Sequence, residues 1–214
     1  MTTIAAGTEF DRQVHNLIKL EDSATAEQLR SVVAPLRDLA TELGSVTFEP
    51  DTGRLPFVLV VTRQVVPIEQ MMPRTTVHGK TKPGFVDRSF EPGSLERFVA
   101  TEETGLSDDQ SAYLLLDVER GEEFCGAVPR DAMNTIRTRG RTPITIEEGI
   151  AVITQFPEVL AKNKCFSLGG SRSGDRRVPA LWISQHTPKL GWCWEGNPHT
   201  WLGMASAGGR RTTT

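Results

Sequence analysis

Two continuous apolar runs constrain the fold of this chain more than any other feature. Residues 57–62 are Phe-Val-Leu-Val-Val-Thr, bounded by Pro56 and Pro67, and residues 113–118 are Tyr-Leu-Leu-Leu-Asp-Val. Short continuous runs of this kind, rich in β-branched and other apolar residues, are typical of buried strands. The chain therefore has to place two strands inside a core and cover them with other elements.

The N-terminal part of the sequence has a helical pattern. Apolar residues recur at helical spacing through residues 8–44 and form one stripe from Leu29 to Leu43. Thr25 and Gln28 predict a capping box, and Gly44 is a natural stop. Pro35 lies within the stripe, where it should kink the helix or split it in two.

Helix and strand patterns alternate in the second half of the chain. Pro129 begins a helix that Gly140 ends, and a second capping box, Thr145 with Glu148, begins another. Strand patterns then resume at Phe166 and continue toward the last tryptophan. The order of helix, strand, helix and strands predicts one α+β (mixed α/β) domain over residues 1–214.

Two further segments complete this prediction. Residues 178–184 and 190–194 flank a short loop containing Pro188, so they predict a β-hairpin rich in tryptophan. The polar residues 205–214 predict a tail. We expect the N-terminal helical segment to pack on a mixed sheet, with the hairpin following it in the chain.

Composition excludes several classes of function. A net charge of −3 argues against a general nucleic-acid binder, which is usually basic. No run reaches the about 18 apolar residues of a membrane span, and no signal-peptide pattern begins the sequence. Three cysteines without a secretion signal indicate free thiols in a reducing cytoplasm. The spacing of Cys165 and Cys193 to His186 and His199 contains no short zinc-ligand pair, so we predict no metal. We also expect no other cofactor.

Residues 71–94 predict a long loop, because prolines and glycines alternate there with basic side chains. The loop either orders over a site or a partner, or it is an ordinary solvated surface loop.

The first of three chemically informative features is the glycine- and arginine-rich segment 168–177. Glycines let a backbone turn tightly and present N–H groups to an anion, and the planar arginine fork suits phosphate, sulfate or carboxylate. The spacing matches neither a Walker loop nor a Rossmann loop. The segment is either a polar hairpin turn, in which Asp175 pairs with an arginine, or an anion site formed by Ser171, Arg172, Ser173, Arg176 and Arg177.

The second feature is that all four tryptophans lie between residues 182 and 201. Strand alternation places Trp192 and Trp194 on one face of the hairpin and Cys193 on the other. Paired tryptophans can wall a pocket and attract a cation, whereas ordinary core packing is the alternative. The candidates for substrate contact are Trp182, Trp194 and Trp201.

The third feature is the sequence Trp-Glu-Gly-Asn-Pro-His-Thr-Trp at residues 194–201. A histidine exchanges protons near neutral pH, and a neighbouring carboxylate can orient it or act as a base itself. We therefore take Glu195, His199 and Asp175 as candidate catalytic residues and Asn197 as a candidate substrate contact. A purely structural histidine is the alternative.

Four stretches of the chain resemble an actinobacterial family of unknown function: residues 56–63, 139–149, 163–178 and 188–203. The last two, Asn163–Val178 and Pro188–Gly203, are the most specific. The resemblance begins near Asp11 and covers most of the chain, but it fails in the 70–94 loop and around Cys125. It implies where the site lies and implies no reaction.

A fainter resemblance is to one component of the two-protein enzymes that close aziridine rings in azinomycin-type pathways and expel sulfate. It implies an enzyme of specialised metabolism that acts on an anionic, amine-bearing intermediate and works with a second protein subunit. Such a reaction needs a cradle for sulfate, an acceptor for the amine proton and an amine held opposite the leaving group. The alternative is a non-catalytic ligand-binding or partner subunit, in a heterodimer or homodimer, that uses the same pocket.

Overall fold

The computed structural model describes residues 2–19 and 21–213. Within these residues the chain forms six α-helices: α1 Ala6–Ile18, α2 Ser23–Val33, α3 Leu36–Thr41, α4 Ile68–Met71, α5 Pro129–Thr138 and α6 Ile146–Gln155. Its strands are β1 Thr2–Ala5, β2 Ser45–Phe48, β3 Arg54–Val61, β4 Phe85–Val86, β5 Val99–Ala100, β6 Ala112–Glu119, β7 Thr142–Pro143, β8 Cys165–Ser167, β9 Ser171–Arg172, β10 Arg177–Ser184, β11 Thr187–Trp194, β12 Leu202–Met204 and β13 Ser206–Arg211. The predicted α+β class is confirmed.

Two sheets carry the core, with the central helix α6 in contact with both. The first sheet is antiparallel with strand order β3-β6-β13-β7, and the second is mixed with order β12-β8-β10-β11-β4. Helix α6 packs against β3 of one sheet and β10 of the other. Gly149 allows this close approach, because a Cβ there would lie 2.4 Å from Leu168. The helix is consequently buried along almost its whole length.

Both apolar runs form the buried strands that the sequence predicts. Phe57 of β3 pairs with Leu116 of β6, and Phe57, Leu59 and Leu114 are fully buried. On the outer side of β3, the side-chain oxygen of the buried Gln13 of α1 accepts a hydrogen bond from Leu59 N at 2.7 Å. One backbone N–H of this strand edge is thereby satisfied without another strand.

The N-terminal helices divide where the sequence predicts. Pro35 separates α2 from α3, as expected for a proline inside a helical stripe. The predicted capping box at Thr25 is wrong, since α2 begins earlier and Asp22 caps it by accepting from the backbone N–H groups of Ala24 and Thr25. The helices contact β3 and β6, so they pack on the antiparallel sheet and not on the mixed one.

The tryptophan-rich hairpin is confirmed, with a tighter turn than expected. Strands β10 and β11 pair from Arg177 with Trp194 to Ser184 with Thr187. Only Gln185 and His186 connect them, and their φ values of 53° and 65° are those of a twist-compatible two-residue turn. Pro188, expected in the loop, lies in β11 opposite Ile183.

The prediction of a polar tail over residues 205–214 is wrong for most of that segment. Strand β13 lies between β6 and β7, inside the antiparallel sheet. The small residues Ala205 and Ala207 are buried there, and Gly208 leaves room for Asp117, which a Cβ would meet at 2.7 Å. Thr214 lies outside the described residues.

A buried charged network joins α6 to this strand. Glu148 accepts from Tyr113 Oη at 2.8 Å, from Arg210 Nε at 2.6 Å and Nη2 at 2.8 Å, and from Thr145 N at 2.7 Å. The predicted capping box of Thr145 and Glu148 is therefore confirmed, with Arg210 as an additional partner.

Candidate functional site

A cavity of about 880 Å³ lies beside the turn end of the β10–β11 hairpin. Its apolar walls come mainly from Leu160, Cys165, Trp182, Ile183 and Trp201. The rings of Trp182 and Trp201 meet edge to face, with centroids 6.1 Å apart. We call this cavity the tryptophan pocket, and its size and apolar walls are those of a small-molecule site.

Trp182 is held in place from two directions. Its ring lies across Gly191 of the neighbouring strand, where a Cβ would approach Trp182 Cη2 to 2.0 Å. Lys189 Nζ lies 5.0 Å from the centroid of the same indole and forms an ion pair with Asp87. Burial alone would raise the pKa of Asp87, but hydrogen bonds from Lys189 and Ser89 lower it to about 2.

The ion pair of Asp87 with Lys189 should stabilise the fold less in acid. Because the folded-state pKa lies below the ordinary 3.8, the contribution is fully present above about pH 4 and is lost as the pH falls toward 2. Wild type and Asp87→Asn should therefore differ in urea stability at neutral pH, and the difference should shrink in this acidic window. A difference that is constant across the window would contradict this account.

The rim of the tryptophan pocket is polar and carries both signs of charge. His78 Nδ1 lies 3.0 Å from Glu158 Oε1, close enough for an ion pair when the imidazole is protonated. The other charged or titratable residues at the rim are Asp51, Lys80, Lys162 and His186. The rim therefore combines an acid–base pair with two lysines that can attract an anionic group.

The cysteines do not supply a nucleophile to this pocket. Burial raises the pKa of Cys165, which lies in the pocket wall, and burial also raises the pKa of Cys193. Little thiolate is present at neutral pH in either case.

Away from this pocket, two predicted segments meet at Glu195. Arg172 Nη2 donates to Glu195 Oε2 at 2.8 Å, and Arg176 Nε lies 3.6 Å from Oε1. The hydrogen bond from Arg172 lowers the pKa of Glu195, and the charges of Arg130 and Arg176 act in the same direction against partial burial. Glu195 is therefore ionised at neutral pH and is held by arginine.

Asp175 and Arg177 form a separate pair beside this cluster. The hydrogen bond from Arg177 is the main reason that the pKa of Asp175 falls to about 2. The Arg177 guanidinium lies 5.2 Å from the Phe98 ring and 5.5 Å from the Trp192 ring, so it packs on aromatic faces. The pair of Asp175 with Arg177 is the arrangement expected of a polar hairpin turn, in which an aspartate pairs with an arginine.

The remaining predicted site residues are dispersed. Ser171 is fully buried, and its hydroxyl accepts from Ile146 N at the start of α6. Ser173 is partly buried, Asn197 is exposed, and Trp194 is 46% exposed. His199 packs on Trp201, with ring centroids 5.4 Å apart, but it does not line the tryptophan pocket.

The structure therefore divides the predicted single site in two. Trp182 and Trp201 line the tryptophan pocket, whereas Arg172, Arg176 and Glu195 do not. Arg177 and Trp182 are five positions apart on β10, which corresponds to roughly 16 Å along a strand. The glycine- and arginine-rich turn and the turn after β11 do meet, but they meet at Glu195 and not at the tryptophan wall.

Comparison with known proteins shows one match. The model of a family of unknown function, DUF5701, matches residues 13–213. The chain belongs to this family. Neither the comparison with curated proteins nor that with solved structures gave a match.

For this DUF5701 chain, sequence reasoning missed most of the polar rim of the tryptophan pocket. His78 and Lys80 belong to the basic 71–94 loop, and one of the two interpretations of that loop was that it orders over a site. Glu158 and Lys162 follow α6 in a segment whose sequence indicates only a short helical turn. No local pattern joins these residues, because the fold alone brings their segments together.

Two further properties of the DUF5701 chain bear on function. In the part of the chain that the structure describes, no three His, Cys, Asp or Glu side chains converge as metal ligands. Over the same residues, no helix has the length and apolarity that crossing a bilayer requires.

Proposed function

We propose that this DUF5701 protein binds a small molecule with a flat apolar body and an anionic group in the tryptophan pocket, and acts on it as an enzyme. The observation that carries this proposal is the edge-to-face pair of Trp182 and Trp201 in one cavity with Lys80 and Lys162. Tryptophan faces suit a flat apolar body, and the lysines suit an anionic substituent.

The catalytic part of the proposal depends on His78 and Glu158. Glu158 lies 3.0 Å from one nitrogen of the His78 imidazole, so it can pair with the cation that forms when His78 accepts a proton from the substrate. This pair takes the acid–base role that the sequence prediction gave to Glu195, His199 and Asp175. Lys80, Lys162 and His186 take the anion-binding role in the pocket.

The specific reaction we propose within this class is closure of an aziridine ring with loss of sulfate. The substrate amine attacks the neighbouring carbon, the carbon–oxygen bond to sulfate breaks, and the amine proton passes to His78. Sulfate leaves with the electron pair beside the lysines of the rim. An actinobacterial origin, a cytoplasmic location and kinship with the aziridine-forming enzymes are parts of this proposal.

The alternative is a ligand-binding or partner subunit without catalysis. It uses the same pocket and differs in the fate of the ligand, which it releases unchanged. Incubation of the protein with β-amino alkyl sulfates distinguishes the two, because inorganic sulfate appears only if the bond breaks. We expect release by the wild type, and a fall of about 10²–10⁴-fold for His78→Gln, the usual range for loss of an acid–base group.

Binding itself should depend on Trp201 and not on Trp194. Trp201→Ala should weaken the binding of an aryl-substituted alkyl sulfate about tenfold or more by calorimetry, since it removes half of the aromatic wall. Trp194→Ala is the matched control, because Trp194 is exposed and lies outside the pocket lining. Equal losses in both variants would contradict the location of the site.

A further inference from the structure

The side chains of two arginines end close to Gly196, in the turn after β11. A Cβ on Gly196 would lie 3.3 Å from Arg176 Nη2 and 3.8 Å from Arg130 Nη2. These two nitrogens therefore lie within about 7 Å of each other, the sum of those distances. Because glycine has no side chain, the space between the two guanidinium groups is not filled by residue 196 itself. We call this space the Gly196 cleft.

Positive charge at the cleft exceeds the negative charge that faces it. Three arginines, Arg130, Arg172 and Arg176, lie close enough to Glu195 for their charges to lower its pKa. Glu195 is the one carboxylate among these four residues. Glu195 is already hydrogen-bonded to Arg172 at 2.8 Å. Throughout residues 2–19 and 21–213, no carboxylate lies within 4.0 Å of the Arg130 guanidinium. The four side chains thus carry an excess of two positive charges at neutral pH.

Two more features of the cluster favour an anion. Arg130 is the second residue of α5, so the positive end of that helix adds to the field, and Arg130 N donates to Glu195 O at 3.0 Å. Arg172 Nε is buried and has no hydrogen-bond partner in the described structure. A buried donor without an acceptor costs free energy of folding, and a nearby anion lowers the positive electrostatic potential around that donor.

We propose that the Gly196 cleft binds a dianionic oxyanion, which is either free phosphate or sulfate or the phosphate monoester of a small metabolite. Two charge-assisted hydrogen bonds of about 2.8 Å on opposite sides of one oxyanion bridge a gap of this size. Two charges on the ligand match the excess of two on the protein. Glu195 holds Arg172 and Arg176 in place, which positions these guanidinium groups before the ligand arrives.

The cleft is separate from the tryptophan pocket, so this inference does not depend on the proposed function. Arg130, Arg176 and Gly196 do not line the pocket, and Arg177, the neighbour of Arg176, is roughly 16 Å along β10 from Trp182. The position of the cleft makes it a second ligand site on the same domain.

Titration with inorganic phosphate, followed by backbone amide NMR, tests the inference. The amides of Glu195 and Gly196 should shift on saturation, and Arg130→Gln and Arg176→Gln should each weaken the fitted affinity about fivefold or more. Gly196→Ala should weaken it as well, because its methyl group occupies the cleft. Arg37→Gln is the matched control, an exposed arginine paired with Asp11 elsewhere on the surface.

Separate titrations with phosphoserine and with sulfate identify the source of the oxyanion. Tighter binding of phosphoserine supports a metabolite, and equal binding of all three supports the free ion. Wild-type affinity in both Arg130→Gln and Arg176→Gln, or an equal loss in Arg37→Gln, would overturn the inference. Trp201→Ala should leave phosphate binding unchanged, so failure of the pocket proposal and failure of this one produce different results.

Discussion

Replacement of Glu148 by alanine should lower the free energy of unfolding by about 3–5 kcal/mol, the usual effect of removing one partner of a buried ion pair. Glu148 is fully buried, and its carboxylate serves Tyr113, Thr145 and Arg210 at once. The Arg210 side chain, only 6% exposed, would lose its carboxylate partner and keep only its hydrogen bonds to Thr142 and Pro143. A domain of ordinary stability has a free energy of unfolding of about 5–15 kcal/mol, so a loss of this size removes a large part of it.

Urea denaturation of Glu148→Ala against Glu42→Ala provides the measurement. Glu42 pairs with Arg211, the neighbour of Arg210 on β13, but that pair is exposed and should contribute about 1 kcal/mol or less. If Glu148→Ala does not fold, the double variant Glu148→Leu with Arg210→Met should recover folding, because it removes both charges together. Similar losses for Glu148→Ala and Glu42→Ala would show that the network does not hold the sheet to α6.

Gly191→Ala should damage the tryptophan pocket and the fold together. A methyl group at this position would lie 2.0 Å from Trp182 Cη2, so the indole has to leave its place over β11. Overpacking of this kind costs about 1–3 kcal/mol. Since Trp182 forms one wall of the pocket, binding of an aryl-substituted alkyl sulfate should fall at the same time.

Two comparisons isolate the contact between Gly191 and Trp182. Gly209 is also a strand glycine, but a Cβ there meets nothing within 4 Å, so Gly209→Ala should have an effect of about 1 kcal/mol or less. In a Trp182→Ala background, Gly191→Ala should cost far less than in the wild type, because the group it collides with is gone. A cost that stays the same in that background would show that the clash lies elsewhere.

The sequence predicts those parts of this fold that local patterns determine. The buried strands β3 and β6, the break at Pro35, the capping box at Thr145 and the β10–β11 hairpin are all visible in neighbouring residues. Strand β13 is not, because its polar and small residues become a strand only through pairing with β6 and β7, which are distant in sequence. Propensity alone therefore indicates a tail.

The same limit applies to the site. The sequence leaves open whether the two turns meet, since each turn is a local pattern but their contact at Glu195 is not. The pocket rim needs His78, Glu158 and His186 from three separate segments, and a single sequence holds no record of that meeting. Aromatic density is the local property that indicates Trp182 and Trp201, which form the wall of the proposed site.

The position of β13 has a consequence for how the protein is made. During translation the N-terminal part of a chain leaves the ribosome first. Strands β3 and β6 therefore emerge long before residues 206–211. Until then β6 lacks its inner neighbour and presents an open strand edge, which is the kind of surface that aggregates. We expect the antiparallel sheet to close only after β13 has left the exit tunnel, so truncations upstream of Ser206 should accumulate as chaperone-bound or insoluble material.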